Sequence, residues 1–490
     1  MKFPCNTTYF LEQETDFKTW QSQLLNLKKR FAAEEATRYV LFCQDSYQFA
    51  LCFFALVAAR KQVVLPPSGQ VTQIEQCMMH ADVLVTDLTE HYNAQRSVVD
   101  PFVLDDVIKS SSIKTPSEGD QPTTTLLNKS DLYHSSLEDL SFQGESEIVF
   151  FTSGSSGTPK AITKTFEQLI KETLVLDETF LKSSVTQTQY ADQAAQNRFF
   201  MSTVSHQHIY GLLFKVLWPI WSGHNVYLNV FSYPEHLAQK IKTLQASQSK
   251  TQNIVLISSP AYFNRLVEDN VLVDIKDNLS ILFSSGGPLH GDVAIKLKNC
   301  LGTAPTEVFG STETGGIAWR QRKLATDDTW QVFNGIEITA DKDTQRLSIL
   351  SPYLSNSQWF ATDDKVKLLS QQNFKLLGRI DRVVKIEEKR CSLDQITLQL
   401  NEHHWVKDCY VLVLQAKNKR RSLAAVVVLT TQGELALKDS GKLKVNNSLR
   451  EHLKQFMEAI VVPKKFRYID RFPYNNQNKL SLNDMERLFD

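Results

Sequence analysis

Cysteine, net charge and long apolar runs are all in short supply in this chain of 490 residues. Its seven cysteines, Cys5, Cys43, Cys52, Cys77, Cys300, Cys391 and Cys409, form no CxxC pair and no regular framework. That argues against a zinc or disulfide scaffold and fits a reducing compartment. Lys plus Arg number 54 and Asp plus Glu number 54, so no overall field recruits nucleic acid or an anionic membrane, and any anion must be held by a local site. The most apolar stretch, FALCFFALVAAR, reaches arginine before it could span a bilayer, and the opening MKFPCNTTYFLEQETDF has no basic segment followed by an apolar core. These absences predict a cytoplasmic protein with neither membrane insertion nor a nucleic-acid partner.

What is present reads as layered α/β. Hydrophobic residues at 42% and charged residues at 22% are ordinary for a globular chain, and the length predicts at least two packed units. RYVLFCQDSYQFALCFFALVAARKQVVLPP predicts strand, helix and strand, and MMHADVLVTD a further strand. From Asp105 to Gln143 the composition turns polar and predicts an exposed connection. ESEIVFF and KAITK predict strands on either side of a loop, and Thr165 with Gln168 forms a capping-box signature for a helix from Phe166. NVYLNVF, a helix from Pro234, NIVLISS, LSILFSSGGPL and a helix from Gly291 continue the alternation. Beyond Thr329 short strands and turns take over. A tail with strands CYVLVLQ and LAAVVVLT and a helix over NSLREHLKQFMEAI predicts a small α+β domain. The expected division is 1–380 and 381–490, with the boundary at Asp381.

The loop in FFTSGSSGTPKAITKT concentrates hydroxyls, two glycines and a lysine. Small residues expose successive backbone N–H groups and let a phosphate chain approach without a Cβ in the way, and Lys160 adds a point charge. It is not a Walker A loop, because Lys160 follows Gly157 by three positions and a strand, not a helix, comes next.

TSGSSGTPK resembles the phosphate loop of the adenylate-forming superfamily, which comprises acyl- and aryl-CoA synthetases, peptide-synthetase adenylation domains and firefly luciferase. Other signatures follow in the family's order: SHQHIYGLLF, SSGGPL, VFGSTETGG, FATDDKV, GRIDRVVKIEEKR and PYNNQNK. The resemblance implies a large N-terminal domain of layered α/β subdomains and a small mobile α+β lid. It also implies activation of a carboxylic acid by ATP and Mg²⁺ as an acyl-adenylate, then transfer to a thiol of coenzyme A or of an acyl carrier protein.

By the same resemblance Thr152, Ser153, Gly154, Ser155, Ser156, Gly157, Thr158 and Lys160 would close over the phosphates. Glu313 would ligate Mg²⁺, with Thr312 at the α-phosphate. Gly286, Gly287, Phe309, Gly310 and Ser311 would surround the adenine, Phe309 standing where the family commonly has tyrosine. Asp364 and Arg379 would hold the ribose, Asp381 would be the hinge, and Lys479 would reach the substrate carboxylate. His208, Tyr210, Gly211, Gly315 and Gly316 would line the acid pocket. His206, two residues before His208, makes a HisxHis metal site conceivable, but no third ligand is in view.

Several positions depart from the family pattern. Glu388 replaces a glycine beside the thiol tunnel, Asp363 a glycine of the ribose motif, Asn478 the glycine before Lys479, and Asn475 a threonine. KNKRR, Lys417 to Arg421, reads as a solvated turn between two strands, or as a docking point for an acidic carrier protein. Fatty, hydroxyacyl and aromatic acids all stay open, and a nucleotide-binding regulatory relative without ligase turnover is the alternative.

Overall fold

Strand and helix alternate from Arg38 onward because apolar runs of strand length are punctuated by capping residues. The strand Arg38–Phe42 is followed by Asp45, whose side chain accepts the N–H of Gln48 and opens the helix Ser46–Ala58. Nearly every residue of that helix is buried, so it forms the centre of a core and not a surface face. The computed structural model describes residues 1–4, 8–11, 14–87, 98–99, 140–152, 160–182, 198–248, 253–269, 271, 273–386, 389–415, 421–473, 480 and 482–489. These divide into two units. The first is Met1–Asp327 with Phe333–Ile336 and Ser351–Gln358, and the second is Asp328–Val332, Glu337–Leu350 and Trp359–Asp490.

In the first unit one sheet runs in the order Val98–Val99, Val83–Thr86, Arg38–Phe42, Gln62–Leu65, Glu147–Thr152 and Lys160–Thr165. All its neighbours are parallel except the last two strands, which pair antiparallel from Glu147↔Thr165 to Thr152↔Lys160. Residues 153–159 therefore join strand to strand, as the motif requires. The expected capping box at Thr165 is present, with Gln168 N–H donating to Thr165 Oγ1 and Thr165 N–H to Gln168 Oε1.

A second sheet of this unit runs Gly315–Gln321, Thr306–Ser311, Leu279–Ser284, Asn253–Ser258, Arg198–Ser202, Asn225–Val230, Tyr9–Phe10 and Thr15–Asp16. The connection expected to be exposed up to Gln143 departs from that reading at its end. Leu140 and Phe142 are buried, and the Phe142 ring packs on Phe3, Phe54, Phe166 and Trp221. Two apolar side chains in a polar stretch were enough to dock it. The rest of that connection, 105–139, lies outside the described residues.

The second unit contains the antiparallel strands Glu337–Ala340, Arg346–Leu350, Phe360–Leu368, Asn373–Arg379 and Thr329–Val332. After them come the hairpin Val383–Ile386 with Lys389–Ser392 and a three-stranded sheet of Val406–Gln415, Arg421–Leu429 and Lys465–Tyr468. The helix expected over residues 447–460 in fact spans Thr431–Lys454. It absorbs a break at Gly441, whose φ of 74° lies in the left-handed region, and the stretch before that break, outside the expected helix, is helical. The last residues of the expected span instead enter a short 3₁₀ turn, Ala459–Val461.

His403 is buried in this unit, beside His404 at 4.6 Å and His452 at 5.2 Å between ring centroids. Its Nδ1 accepts the N–H of Trp405 at 3.2 Å, leaving Nε2 to pair with Ser448 Oγ at 3.2 Å. Burial, then repulsion from the two neighbouring imidazoles, lowers its pKa to about 4. Below the ordinary value of 6.5 the unfolded chain takes up a proton that the folded one refuses, so stability should fall as pH drops from 6.5 towards 4. Thermal unfolding of the full chain should show this loss and His403→Gln should lessen it; an unchanged pH slope in the variant would contradict the assignment.

Candidate active site

The strand Lys160–Thr165 alternates so that Lys160, Ile162 and Lys164 share one face. Lys160 Nζ lies 3.5 Å from Glu313 Oε1. Glu313 sits at the tip of an antiparallel hairpin, Thr306–Ser311 with Gly315–Gln321, whose ladder shifts register between Phe309 and Gly310. The expected phosphate-loop lysine and the expected metal ligand are thus neighbours within one unit. Of the rest of that loop, the Thr152 side chain and Ser153, Gly154, Ser155, Ser156, Gly157 and Thr158 lie outside the described residues, as do Glu388, Asn475, Asn478 and Lys479.

The hairpin is anchored at both ends. At its base the buried Glu307 carboxylate takes both Arg320 Nε and Nη2, at 2.9 and 2.7 Å, and Arg322 Nε at 2.8 Å. Such a buried charge group contributes orientation more dependably than stability. At its tip Ser311 N–H donates to Thr314 Oγ1, and Thr314 N–H donates back to Ser311 Oγ at 3.2 Å. Thr312 is buried, and Phe309 is half-buried on the strand opposite Ala318. Gly286 follows the strand Leu279–Ser284 with φ at +87°, and a Cβ on Gly287 would stand 3.9 Å from Pro260.

Sequence reasoning missed two buried charged residues here. Lys164 Nζ donates to the carbonyls of Glu313 and Tyr353, both at 2.6 Å. Burial lowers its pKa to about 8, against the pull of Glu172 and Glu313. Glu172 Oε1 accepts the N–H of Gly316 at 2.7 Å; burial raises its pKa, which that N–H and Lys164 partly offset. The signal was available in phase: Lys164 falls on the Ile162 face of its strand, and Glu172 lies between Leu169 and Leu176 on the apolar face of Phe166–Asp177.

The expected pocket residues Tyr210, Gly211, Gly315 and Gly316 are buried. Tyr210 O–H donates to Ser258 O at 3.2 Å, and burial holds its pKa well above the ordinary value. A Cβ on Gly211 would lie 1.9 Å from Ser205 O, so only glycine permits that approach. His208 caps the next turn, Nδ1 accepting the Tyr210 N–H at 3.4 Å. His206 is engaged elsewhere, with Nδ1 at 2.9 Å from Ser46 Oγ and Nε2 at 2.9 Å from Cys43 O. Burial, then Lys215, keeps its pKa well below the usual range. Among the described residues no group of three His, Cys, Asp or Glu side chains could hold a metal ion.

In the second unit the expected ribose pair falls in register, Asp364 opposite Arg379 on the strands Phe360–Leu368 and Asn373–Arg379. Arg379 Nη1 lies 3.7 Å from Asp364 Oδ1, while its Nε and Nη2 clasp both carboxylate oxygens of Asp381 at 2.8 and 2.7 Å. The Asp381 hydrogen bond raises the guanidinium pKa further. Burial raises the pKa of Asp364, and Arg379 offsets part of that. The Arg379 N–H donates to Asp394 Oδ2 at 3.0 Å, and Arg382 Nε donates to Asp394 Oδ1. Asp363 pairs with Arg346 Nη2 at 3.0 Å.

The fold is that of the adenylate-forming enzymes. It resembles ATP-bound MatB from Rhodopseudomonas palustris with a TM-score of 0.72 and 14% identity, covering 96% of this chain and 92% of that one. O-succinylbenzoate coenzyme A synthetase from Bacillus subtilis, in complex with AMP, gives 0.69 and 17% identity over 99% and 96%. The chain belongs to the family described as AMP-binding enzyme, whose profile matches residues 27–341. In sequence it is 23% identical over 382 residues to a D-alanine–D-alanyl carrier protein ligase of Staphylococcus aureus, covering 71% of this chain and 72% of that protein.

The hairpin tip itself is testable. Gly315 has φ at +69°, and a Cβ there would stand 2.7 Å from Tyr353 Cδ2 and 2.8 Å from Glu172 Oε2. Gly315→Ala should cost about 1–3 kcal/mol in urea unfolding. A loss below about 0.5 kcal/mol, the scale of an unremarkable surface change, would show that the tip is not as tightly packed as described.

Proposed function

We propose that this chain uses ATP to activate a carboxylic acid as an acyl-adenylate, releasing pyrophosphate, and transfers the acyl group to a thiol of coenzyme A or of a phosphopantetheinyl carrier protein. The observation that carries the reading is the approach of Lys160 to Glu313 at 3.5 Å, in a chain of the AMP-binding family. Attack of a carboxylate on the α-phosphorus brings two anions together, so the site must supply positive charge and fixed donors. The loop from Thr152 to Lys160 is the donor set for the β- and γ-phosphates. Thr312 would steady the α-phosphate, and Gly286, Gly287, Phe309, Gly310 and Ser311 would receive the base.

The residues present fit Mg²⁺: Glu313 offers a hard, partly exposed carboxylate with its main chain anchored. Bound there, the ion would neutralise charge building on the departing pyrophosphate. Asp364, whose two oxygens can accept from two ribose hydroxyls, and Arg379 are the sugar-holding pair. Lys479 would be delivered on residues 381–490, pivoting at Asp381; its Arg379 clasp and the Asp394 bond to the Arg379 main chain are the contacts such a pivot would rearrange.

Aromatic packing narrows the acid. The Tyr210 ring meets Phe214 at 4.8 Å, Phe214 meets Phe283 at 5.2 Å and Trp218 at 5.6 Å, and Phe180 meets Phe283 at 5.0 Å. With Tyr210 expected in the acid pocket, this packing beside it favours a short acid over a long acyl chain, in keeping with a D-alanine-using relative. No described helix is long and apolar enough to cross a membrane. The balanced charge and the irregular cysteine spacing support a cytoplasmic enzyme.

Acid-dependent exchange of labelled pyrophosphate into ATP, with hydroxylamine trapping, tests the reading. Short acids should surpass dodecanoate by at least about tenfold in kcat/KM, and Lys479→Ala should lower exchange at least about a hundredfold. Nucleotide binding without exchange across a broad acid panel would defeat it.

A further inference from the structure

We propose that Lys164 and Glu172 are positioning residues of the adenylating site, a buried cation and anion that set the main chain of the 312–316 tip so that the Glu313 carboxylate is presented to the metal and nucleotide. The inference rests on the function proposed above, but its geometry is independent of the acid.

Lys164, Gln168 and Glu172 follow at steps of four, along the strand that leaves the phosphate loop and the helix after it. All three grip main chain. Lys164 Nζ holds the carbonyls of Glu313 and Tyr353 at 2.6 Å each, Gln168 Nε2 holds that of Leu354 at 2.7 Å, and Glu172 Oε1 holds the N–H of Gly316 at 2.7 Å. The peptide between Glu313 and Thr314 is pinned at both edges, its carbonyl by Lys164 and its N–H by Ser311 Oγ at 3.2 Å. A pinned peptide plane restricts ψ of Glu313, and with it the directions in which the side chain can leave towards Lys160, 3.5 Å away.

Water cannot take over this work, because Lys164 is 3% exposed and Glu172 5%. Removing the ammonium leaves two inward-facing carbonyls without their donor, which favours turning the peptide outward. The loss should therefore appear first in what Glu313 does.

The test is a binding cycle on the full chain, read by calorimetry with MgATP and with ATP in EDTA. Lys164→Met, similar in length but uncharged, should weaken MgATP at least about tenfold, change binding in EDTA by less than about twofold, and add less than about twofold in a Glu313→Gln background. In pyrophosphate exchange it should raise KM for MgATP by more than KM for the acid, whose expected pocket shares Gly315 and Gly316 with the tip. MgATP binding within about twofold of wild type, or an equal loss in the Glu313→Gln background or in EDTA, overturns the proposal. Should Lys164→Met fail to fold, Lys164→Gln is read by the same criteria. A wild type that binds MgATP but exchanges no pyrophosphate sinks the ligase reading alone, whereas one that binds no MgATP sinks both.

Discussion

A single buried ammonium ties together the parts of the first unit that carry the proposed chemistry. Lys164 leaves the strand Lys160–Thr165 and closes on the carbonyls of Glu313 and Tyr353, so that strand, the hairpin tip and the 351–354 segment share one anchor. Burying a lysine this deeply is expensive unless its donors are met and a counter-charge is near. Glu172 supplies that charge while using one oxygen on Gly316. The same economy explains Gly315, which must leave its Cβ space to Tyr353 and Glu172.

The second unit solves a similar problem by strand register. Pairing Asp364 with Arg379 across two antiparallel strands sets their spacing without help from a loop. Asp381 competes for the same guanidinium, so the residue expected to bear the sugar contact and the residue expected to bear the hinge are electrostatically linked. Asp394 then connects the main chain of Arg379 to the helix Leu393–Asn401.

Much of this was legible because the family motifs are local. Lys160, Glu313, Asp364 and Arg379 each stand inside a short signature, and the α/β alternation, the strand-to-strand loop and the Thr165 cap follow from periodicity and capping chemistry. Lys164 and Glu172 were not found because each works through main chain far away in sequence, and a lysine or glutamate within an element reads first as a solvated face. The docking of Leu140 and Phe142 escaped because composition averaged them into their polar neighbours. The helix start at Thr431 escaped because the stretch around Gly441 lies outside the expected helix.

Membership of the AMP-binding family sets the chemistry to look for, and the clasped hairpin tip is where we propose that this chain anchors it. The most direct measurement is a crystal structure with Mg²⁺ and a non-hydrolysable ATP analogue. The account predicts the triphosphate against residues 153–160, with the cation on the Glu313 carboxylate and the Glu313 carbonyl still turned to Lys164. Nucleotide bound without contact to Glu313 would contradict it.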